Sequence, residues 1–598
     1  SLLMSTLFGN KNNRISGALD KIHSSGMFSG ERIGNRPDDP NAIMFISQTS
    51  PEKAEDVLRA YYSAIQELKT NPITDNELAS KKLRHKMIFS KITESSSAIN
   101  SLIGSSMMNN SPEFAEKYVE ILDSITAKDA NDFVNKYLDL NKVSISMVHP
   151  ENIDNETLMT NYKKSSKVSF KGNVYPKVFD EEKIKQFTLF NNINTLFNPN
   201  TSNLVDYKLS LDTRIPANVK HGTQELLSFI LDEGSLFKTN AQFQAITEAQ
   251  GINLSFFANS REIEIGCTAP ENTALNSLAL AKETLLNPRF TQETLDYAKN
   301  RLMEIVNNEE KSSTEKLGKE LFPNIAAFAT SEDIKAAINN ITLEDVIGLY
   351  QYIMKNAQAD FVMTAPIEKN PALIQQTINS LSTNLPKFQP KKFDIFQGYT
   401  PIKENKVIKQ EDKRIQAEIE QAFTFKVNAN PKDRLIFNLL DSILGGHSSS
   451  RLFSDLREQQ KLAYRVNSDF TFYGDTGVAS LYIKTTTDDP QNNLIQYDNV
   501  QKSLDGFKKH IEKLRTEKVS QEELDAAKLR LKTSLLNGTE TSSDQTHTLM
   551  TDMTSPYSFK STNLYLKLID EITADDILNA ANYVFSGNSV TSLSLIHI

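Results

Sequence analysis

At 598 residues the chain is too long for one ordinary domain, and at ~150 residues per domain about four are expected. Hydrophobic residues at 39% and charged residues at 24% are the balance of a globular protein that buries several cores, which excludes a disordered chain. The net charge of −9 comes from interspersed signs, so no basic stripe is offered to nucleic acid; Cys267 is the sole cysteine, which excludes an internal disulfide and Cys-x-x-Cys zinc sites; and no apolar run approaches the ~20 residues of a membrane helix.

In chain order, one set of signals occurs three times. Leu2-Leu3 through Leu7, Gly9 and Arg14 read as a helix, a glycine-bearing turn and a second helix. Thr74-x-x-Glu77-Leu78 then reads as a capping box opening a helix that carries Lys82. Ile125-Thr126-Ala127-Lys128-Asp129 places a Thr N-cap and an acidic first turn before a helix leading to an apolar strand, Val143 to Pro150. Residues 151 to about 180 are polar and aperiodic, as expected of a linker. The second copy has Thr291-x-x-Thr294-Leu295 with Lys299, then Ile341 to Asp345 leading to Phe361–Pro366. Pro371, Pro386, Pro390 and Pro401 mark 371–410 as a second linker that should not hold helix. The third copy opens with a strand, Gln421 to Val427, and a helix. There Leu439-Leu440 through Leu444, Gly446 and Arg451 repeat the spacing seen at the N-terminus. Ser520-x-x-Glu523-Leu524 with Lys528 reads as another capping box, and Ile572 to Asp576 begins the stretch that ends at His597. The three Ile-Thr stretches align without a gap, so one sub-structure closes each unit.

The fold class is therefore α+β, with tandem modules of helices packed on one face of a largely antiparallel sheet. The modules are residues 1–150, 181–370 and 411–598, about two and a half to three in all. The first lacks the opening strand of the third, so the chain is expected to begin inside a domain and the natural protein to extend N-terminally; a targeting segment would then lie upstream.

Chemistry concentrates in the third copy, at Leu444-Gly445-Gly446-His447, Ser450-Arg451-Leu452-Phe453, Leu456-Arg457-Glu458 and Leu462-Ala463-Tyr464. This run resembles the C-terminal module of the pitrilysin and insulinase-type zinc peptidases, the inverzincins. The resemblance implies that Arg457 and Tyr464 hold the substrate backbone, and both side chains can donate to a peptide carbonyl on which oxyanion charge develops. The second copy is similar to the module that in a catalytic version carries His-x-x-Glu-His on a helix. From Gly222, the matching stretch puts Glu225, Ser228 and Phe229 at the positions of the two histidines and the base. Phe229 cannot ligate zinc and Ser228 is no general base, so this copy reads as degenerate. No two of the eight histidines stand four apart, so the chain holds neither His-x-x-Glu-His nor His-Glu-x-x-His. His221 with Glu225 makes too small a ligand set, His447 reads as exposed or a local cap, and Cys267 as a buried strand residue.

What the resemblance implies is a four-module clamshell in which zinc sits in an N-terminal module outside this chain. The chain itself would hold no cofactor and no catalytic residue; it would close a chamber and position peptide or small-protein substrates for its own N-terminal zinc domain. The alternative is a non-catalytic scaffold or partner subunit of a two-chain peptidase. Bacterial four-module relatives favour the periplasm over the cytoplasm.

Overall fold

The protein is described from a computed structural model. It covers residues 14–16, 28–33, 42–47, 54–108, 111–138 and 179–595, apart from 214, 217, 259–261, 309–312, 324–327, 393–398, 412–415, 429, 490–493, 496 and 555–560. Two units emerge, one of residues 1–177 with 240–251 and one of 178–239 with 252–598.

In the first unit, β1 (Phe28–Ile33) pairs antiparallel with β2 (Ala42–Ser47). Five helices follow: α1 (Ala54–Thr70), α2 (Asp75–Ile92), α3 (Ser96–Met108), α4 (Tyr118–Ser124) and α5 (Ala127–Tyr137). Tyr61, Ile65 and Leu68 of α1 make the core with Leu78, Leu122 and Val134. The i, i+4, i+7 spacing of the α1 residues is that of one helix face. A helix from later in the chain, Asn240–Ala249, belongs to this unit, and its Glu248 takes the buried Lys81 ammonium at 2.7 Å. The expected Leu2–Gly9 turn, Val143–Pro150 strand and 151–178 part of the linker lie outside the described residues.

The second unit holds two sheets. Strands β3 (Lys185–Thr188), β4 (Ile193–Pro199), β5 (Leu204–Asp212), β6 (Asn253–Ala258), β7 (Glu262–Pro270) and β8 (Gln358–Ala365) form one, in the order β3-β4-β8-β5-β7-β6. Strands β9 (Lys406–Glu411), β10 (Gln416–Lys426), β11 (Ala463–Tyr473) and β12 (Thr476–Thr486) join β15 (Ser589–Leu595) in the other, in the order β11-β12-β10-β15-β9; β13 (Asp488–Asp489) and β14 (Leu494–Ile495) form a separate pair. Apart from the extra β3, the two orders are the same, β6-β7-β5-β8-β4 matching β11-β12-β10-β15-β9. In each the last strand inserts between the first two and runs parallel to the outer one, β8 to β4 and β15 to β9, while the other pairings are antiparallel. The expected α+β module is thus present twice, as the repeated signals required.

The Asn240–Ala249 helix of the first unit is α7; the helices of the second unit are α6 (Thr223–Asp232), α8 (Ala274–Leu286), α9 (Gln292–Asn308), α10 (Ser313–Leu321), α11 (Ser331–Ile338), α12 (Leu343–Asn356) and α13 (Ala372–Ser382), followed by α14 (Pro431–Leu444), α15 (Asp498–Thr516), α16 (Gln521–Asn537), α17 (Ser542–Thr554), α18 (Ser561–Asp570) and α19 (Ala574–Val584). Thr126, Thr342 and Thr573 each close a reciprocal capping box with Asp129, Asp345 and Asp576. The repeated lysines have one job: Lys82, Lys299 and Lys528 donate to the backbone carbonyls of Asp123, Asn339 and Asp570, at or just past the ends of α4, α11 and α18, at 2.8, 3.4 and 3.0 Å. A cation there satisfies orphan acceptors at the negative end of the dipole.

Two expectations are corrected. Thr74 and Ser520 do cap their helices, but the carboxylates of Glu77 and Glu523 do not fold back. Each is gripped by an arginine fork, Arg14 at 3.1 and 2.8 Å and Arg451 at 2.8 and 2.8 Å, a charge-assisted bidentate bond stronger than a cap. The reciprocal cap instead forms at Thr291, whose amide donates to the Thr294 hydroxyl at 3.2 Å while the Thr294 amide donates back at 3.1 Å. The 371–410 stretch, read as free of helix, contains α13 and β9, because Pro371 sits at the N-cap, where its missing N–H costs no bond.

Candidate functional site

Helix α14 stops at a turn that brings the chain against β11. The amides of Gly445 and Gly446 both donate to the Asp441 carbonyl, at 3.0 and 2.9 Å. A Cβ on Gly445 would stand 2.3 Å from the Ser468 amide nitrogen, so the approach of turn to strand demands glycine. Ser468 donates its hydroxyl to Asp441 Oδ1 at 2.5 Å. Burial pushes the Asp441 carboxyl up to about 7; the Ser468 bond opposes this and the nearby Asp469 charge adds to it. His447 is a local cap, its Nδ1 accepting from the Ser449 amide at 2.9 Å, and burial together with Arg530 pulls its pKa down to about 4.

Past Arg451, residues Phe453–Gln459 wind as a π-helix, closed by the Gln460 amide donating to the Asp455 carbonyl five residues back. Such wide turns cost hydrogen-bond geometry and are found mostly where they re-aim a side chain. Leu456 anchors the turn in the core, so close to Gly506 of α15 that a Cβ there would lie 2.3 Å from Leu456 Cδ2. Asp455 anchors its polar side, accepting from Gln460 Nε2 at 2.9 Å and Lys509 Nζ at 2.6 Å, with His510 Nε2 at 2.7 Å. Burial would raise its pKa, but these bonds prevail and hold it at about 2.

The chain then turns through Lys461 in the left-handed region, φ 56°, and enters β11. Ala463 pairs with Thr485 and Arg465 with Lys484, so Tyr464 is the extra residue of a β-bulge on an edge strand. The bulge leaves Tyr464 83% exposed and turned toward the π-helix. Arg457 Cζ lies 4.9 Å from the Tyr464 ring centroid and 4.4 Å from that of Phe453. The structure therefore brings together the two residues singled out from sequence and adds a third, Phe453. The guanidinium contacts both rings, its position fixed by cation–π attraction, with N–H groups in its own plane left to donate. Phe453 had a signal, since it stands four residues before Arg457, but the π winding and the bulge had none.

The helix aligned with a zinc-binding one does not fit a metal. Ser228 on α6 is buried, its hydroxyl donating to the Phe256 carbonyl at 3.3 Å. Phe229 lies under the Arg301 guanidinium at 4.3 Å, and burial raises the Glu225 carboxyl, which favours its neutral form. Among the described residues no group of three or more His, Cys, Asp or Glu side chains could hold a metal ion, and no helix is long and apolar enough to cross a membrane. Cys267 is buried on β7, as expected.

Comparison with known proteins bears on this geometry. Residues 340–531 match the family described as the Peptidase M16 inactive domain. An uncharacterized zinc protease of Rickettsia felis is 34% identical over 158 residues, 26% of this chain and 35% of the relative. A Helicobacter pylori protein called non-peptidase homolog YmxG is 24% identical over 316 residues, 51% of this chain and 68% of the relative. The match thus spans about a third of the length of the first and two thirds of the second. Among solved structures, a peptidase M16 inactive domain from Pseudomonas fluorescens superposes with a TM-score of 0.60 at 19% identity, over 70% of this chain and 98% of that one. The periplasmic protease PqqL from Escherichia coli superposes with a TM-score of 0.56 at 13% identity, over 98% of this chain and 68% of that one. At such identities the structures establish the fold.

Proposed function

We propose that the chain is a C-terminal portion of a pitrilysin-type protein and positions peptide substrates for a zinc module elsewhere in the complete protein, a reading supported by the match of residues 340–531 to the Peptidase M16 inactive domain. The observation that carries this reading is the Phe453–Arg457–Tyr464 cluster. Arg457 is aimed by a π-helix, Tyr464 by a bulge, and both devices spend regular hydrogen bonding to present donors at an exposed edge strand. A guanidinium and a phenol held side by side can donate to a peptide carbonyl and strengthen those bonds as the oxygen gains charge. The whole protein is then a zinc-dependent endopeptidase whose chamber this portion encloses, in the bacterial periplasm.

In the complete protein, Arg457→Ala and Tyr464→Phe should each lower kcat/KM by ~10²-fold with zinc content unchanged. Wild-type kinetics in both variants would end the positioning role. A second reading, a non-catalytic scaffold or partner subunit of a two-chain peptidase, is supported by the non-peptidase name of the H. pylori relative. Metal analysis separates the two: the positioning reading requires stoichiometric zinc and chelator-sensitive hydrolysis in the complete protein, and the scaffold reading requires neither.

A further inference from the structure

The bulge that exposes Tyr464 places a second arginine beside it. Arg465 follows Tyr464 on β11, and its own neighbour Val466 is buried in the core with α14 and α15, so Arg465 stands on the opposite face of the sheet. Its Cζ lies 5.0 Å from the ring centroid of Tyr482 on β12, and its Nε donates to Asn467 Oδ1 at 3.3 Å. Arg457 is held in the same manner, against the rings of Phe453 and Tyr464. The carboxylates on this face of the sheet are bound elsewhere: Glu418 to Lys484 at 3.1 Å, Glu420 to the Thr314 hydroxyl at 2.7 Å, and Asp469 to the Thr471 hydroxyl at 2.6 Å. Among the described residues the Nη groups of Arg465 have no acceptor.

An exposed arginine needs no explanation by itself. Arg465 differs in being fixed, by a ring and by an amide oxygen, so it has already lost the side-chain freedom whose loss makes an ordinary surface ion pair weak. The charges around it leave it uncompensated. Lys484 stands opposite Arg465 in the register, and Glu418 lies beyond Lys484 on β10, two strands away or about 10 Å. Asp469 is four residues along β11, about 13 Å, which exceeds the ~8 Å screening length at physiological salt. Two guanidiniums thus flank Tyr464 in sequence, and among the described residues Glu458 alone pairs with either, with Arg457 at 3.5 Å.

We propose that Arg465 is a specificity residue that binds the carboxylate of an Asp or Glu side chain in a peptide whose backbone Arg457 and Tyr464 hold, so that the substrates are acidic peptides. An extended peptide beside edge strand β11 rises ~3.3 Å per residue and sends alternate side chains to the face on which Arg465 stands. A carboxylate there meets a planar fork whose geometry it matches with two parallel bonds. The held backbone rests on the proposed function; the cation site rests on the geometry at Arg465.

Fluorescent peptides of mixed sequence, matched except for Glu, Gln or Lys at one position, test it by anisotropy with the complete protein and a chelator present, so that no turnover interferes. At about 50 mM salt the best Glu peptide should bind ~5-fold tighter than its Gln counterpart, and the ratio should shrink toward 1 at about 0.5 M. Arg465→Gln should bring the ratio to about 1, and Arg465→Glu should invert it in favour of the Lys peptide, a reversal that general loss of structure does not produce. A ratio near 1 in the wild type, no binding of any peptide, or a ratio unchanged in both variants would overturn the proposal. Measuring kcat/KM on the same peptides with zinc restored separates it from the function on which it rests. Hydrolysis without charge preference overturns the role of Arg465 and leaves the function standing; a preference in binding that the variants abolish, without hydrolysis, overturns the function and leaves the cation site standing.

Discussion

Arg457 is held by aromatic faces rather than by an acid. Among the described residues it pairs with the Glu458 carboxylate, at 3.5 Å from Nε, while Phe453 and Tyr464 meet the guanidinium at 4.4 and 4.9 Å. A tight carboxylate would occupy the guanidinium fork, whereas a ring leaves the N–H groups in its plane able to donate, as the proposed positioning role requires. The titratable group that burdens this region is Asp441, whose carboxyl is raised to about 7 by burial, against the Ser468 bond and with help from Asp469. Its unfolded pKa is near 3.9, so between about pH 4 and 7 the folded state holds a proton that the unfolded state has released. Stability from this group therefore falls as pH rises through that window, by on the order of 4 kcal/mol in all. Asp441→Asn keeps an acceptor for Ser468 and removes the charge. The variant should gain stability over the wild type progressively from pH 4 to 7 and hold that gain at pH 8, read from urea unfolding at each pH. A difference that does not change with pH would show that Asp441 ionises normally in the fold.

The turn from α14 into β11 is a chain of departures from regular structure: a glycine in contact with a neighbouring strand, a π-helix, a left-handed lysine and a bulge. Gly445 is the point where substitution has no room, because its Cβ would meet backbone, the Ser468 nitrogen, at 2.3 Å. At Gly446 the contacts are looser, the Asp441 carboxylate at 2.9 Å and backbone of Asp441 and Ser442 at 3.2 Å, so a smaller shift makes room. Gly445→Ala should therefore cost ~2–3 kcal/mol and Gly446→Ala under ~1 kcal/mol in chemical denaturation. Equal costs at both would mean that the turn relaxes as a whole. This element was only half legible in the sequence. The glycine pair and the Arg457 to Tyr464 spacing stood out, since glycine marks close approach and arginine and tyrosine carry chemistry. The π winding and the bulge did not, because one extra residue per turn or per ladder leaves no period to count; tertiary contacts at Leu456 and Asp455 select it. For the same reason the spacing of Glu77 and Glu523 points to local caps, whereas arginines 63 and 72 residues away take them.

At the scale of the whole chain, the repeat made the shared module legible but not its strand order: Thr126, Thr342 and Thr573 open stretches that align without a gap, and β8 and β15 insert at the same place in their sheets. Also hidden was an exchange of helices, because sequence periodicity gives an apolar face without saying which sheet covers it: α17 buries Leu549, Met550 and Met553 with Leu196 of β4 and Val362 of β8, and α10 packs Leu317 on Ala422, Val478 and Val590 of the other sheet. Its consequence is cooperative. The two sheets of the second unit each depend on a helix contributed from the other's stretch of chain, so neither core closes alone. Leu549 is fully buried at one crossing, and Leu549→Ala should remove ~2–5 kcal/mol, through lost burial and the cavity it leaves. If the exchange couples the sheets, the loss will appear as faster amide exchange in β10 and β15 as well as in β4 and β8, and unfolding will remain a single transition. Loss of protection confined to β4 and β8, with a second transition for the other sheet, would show two independently stable modules joined by adhesion rather than by shared structure.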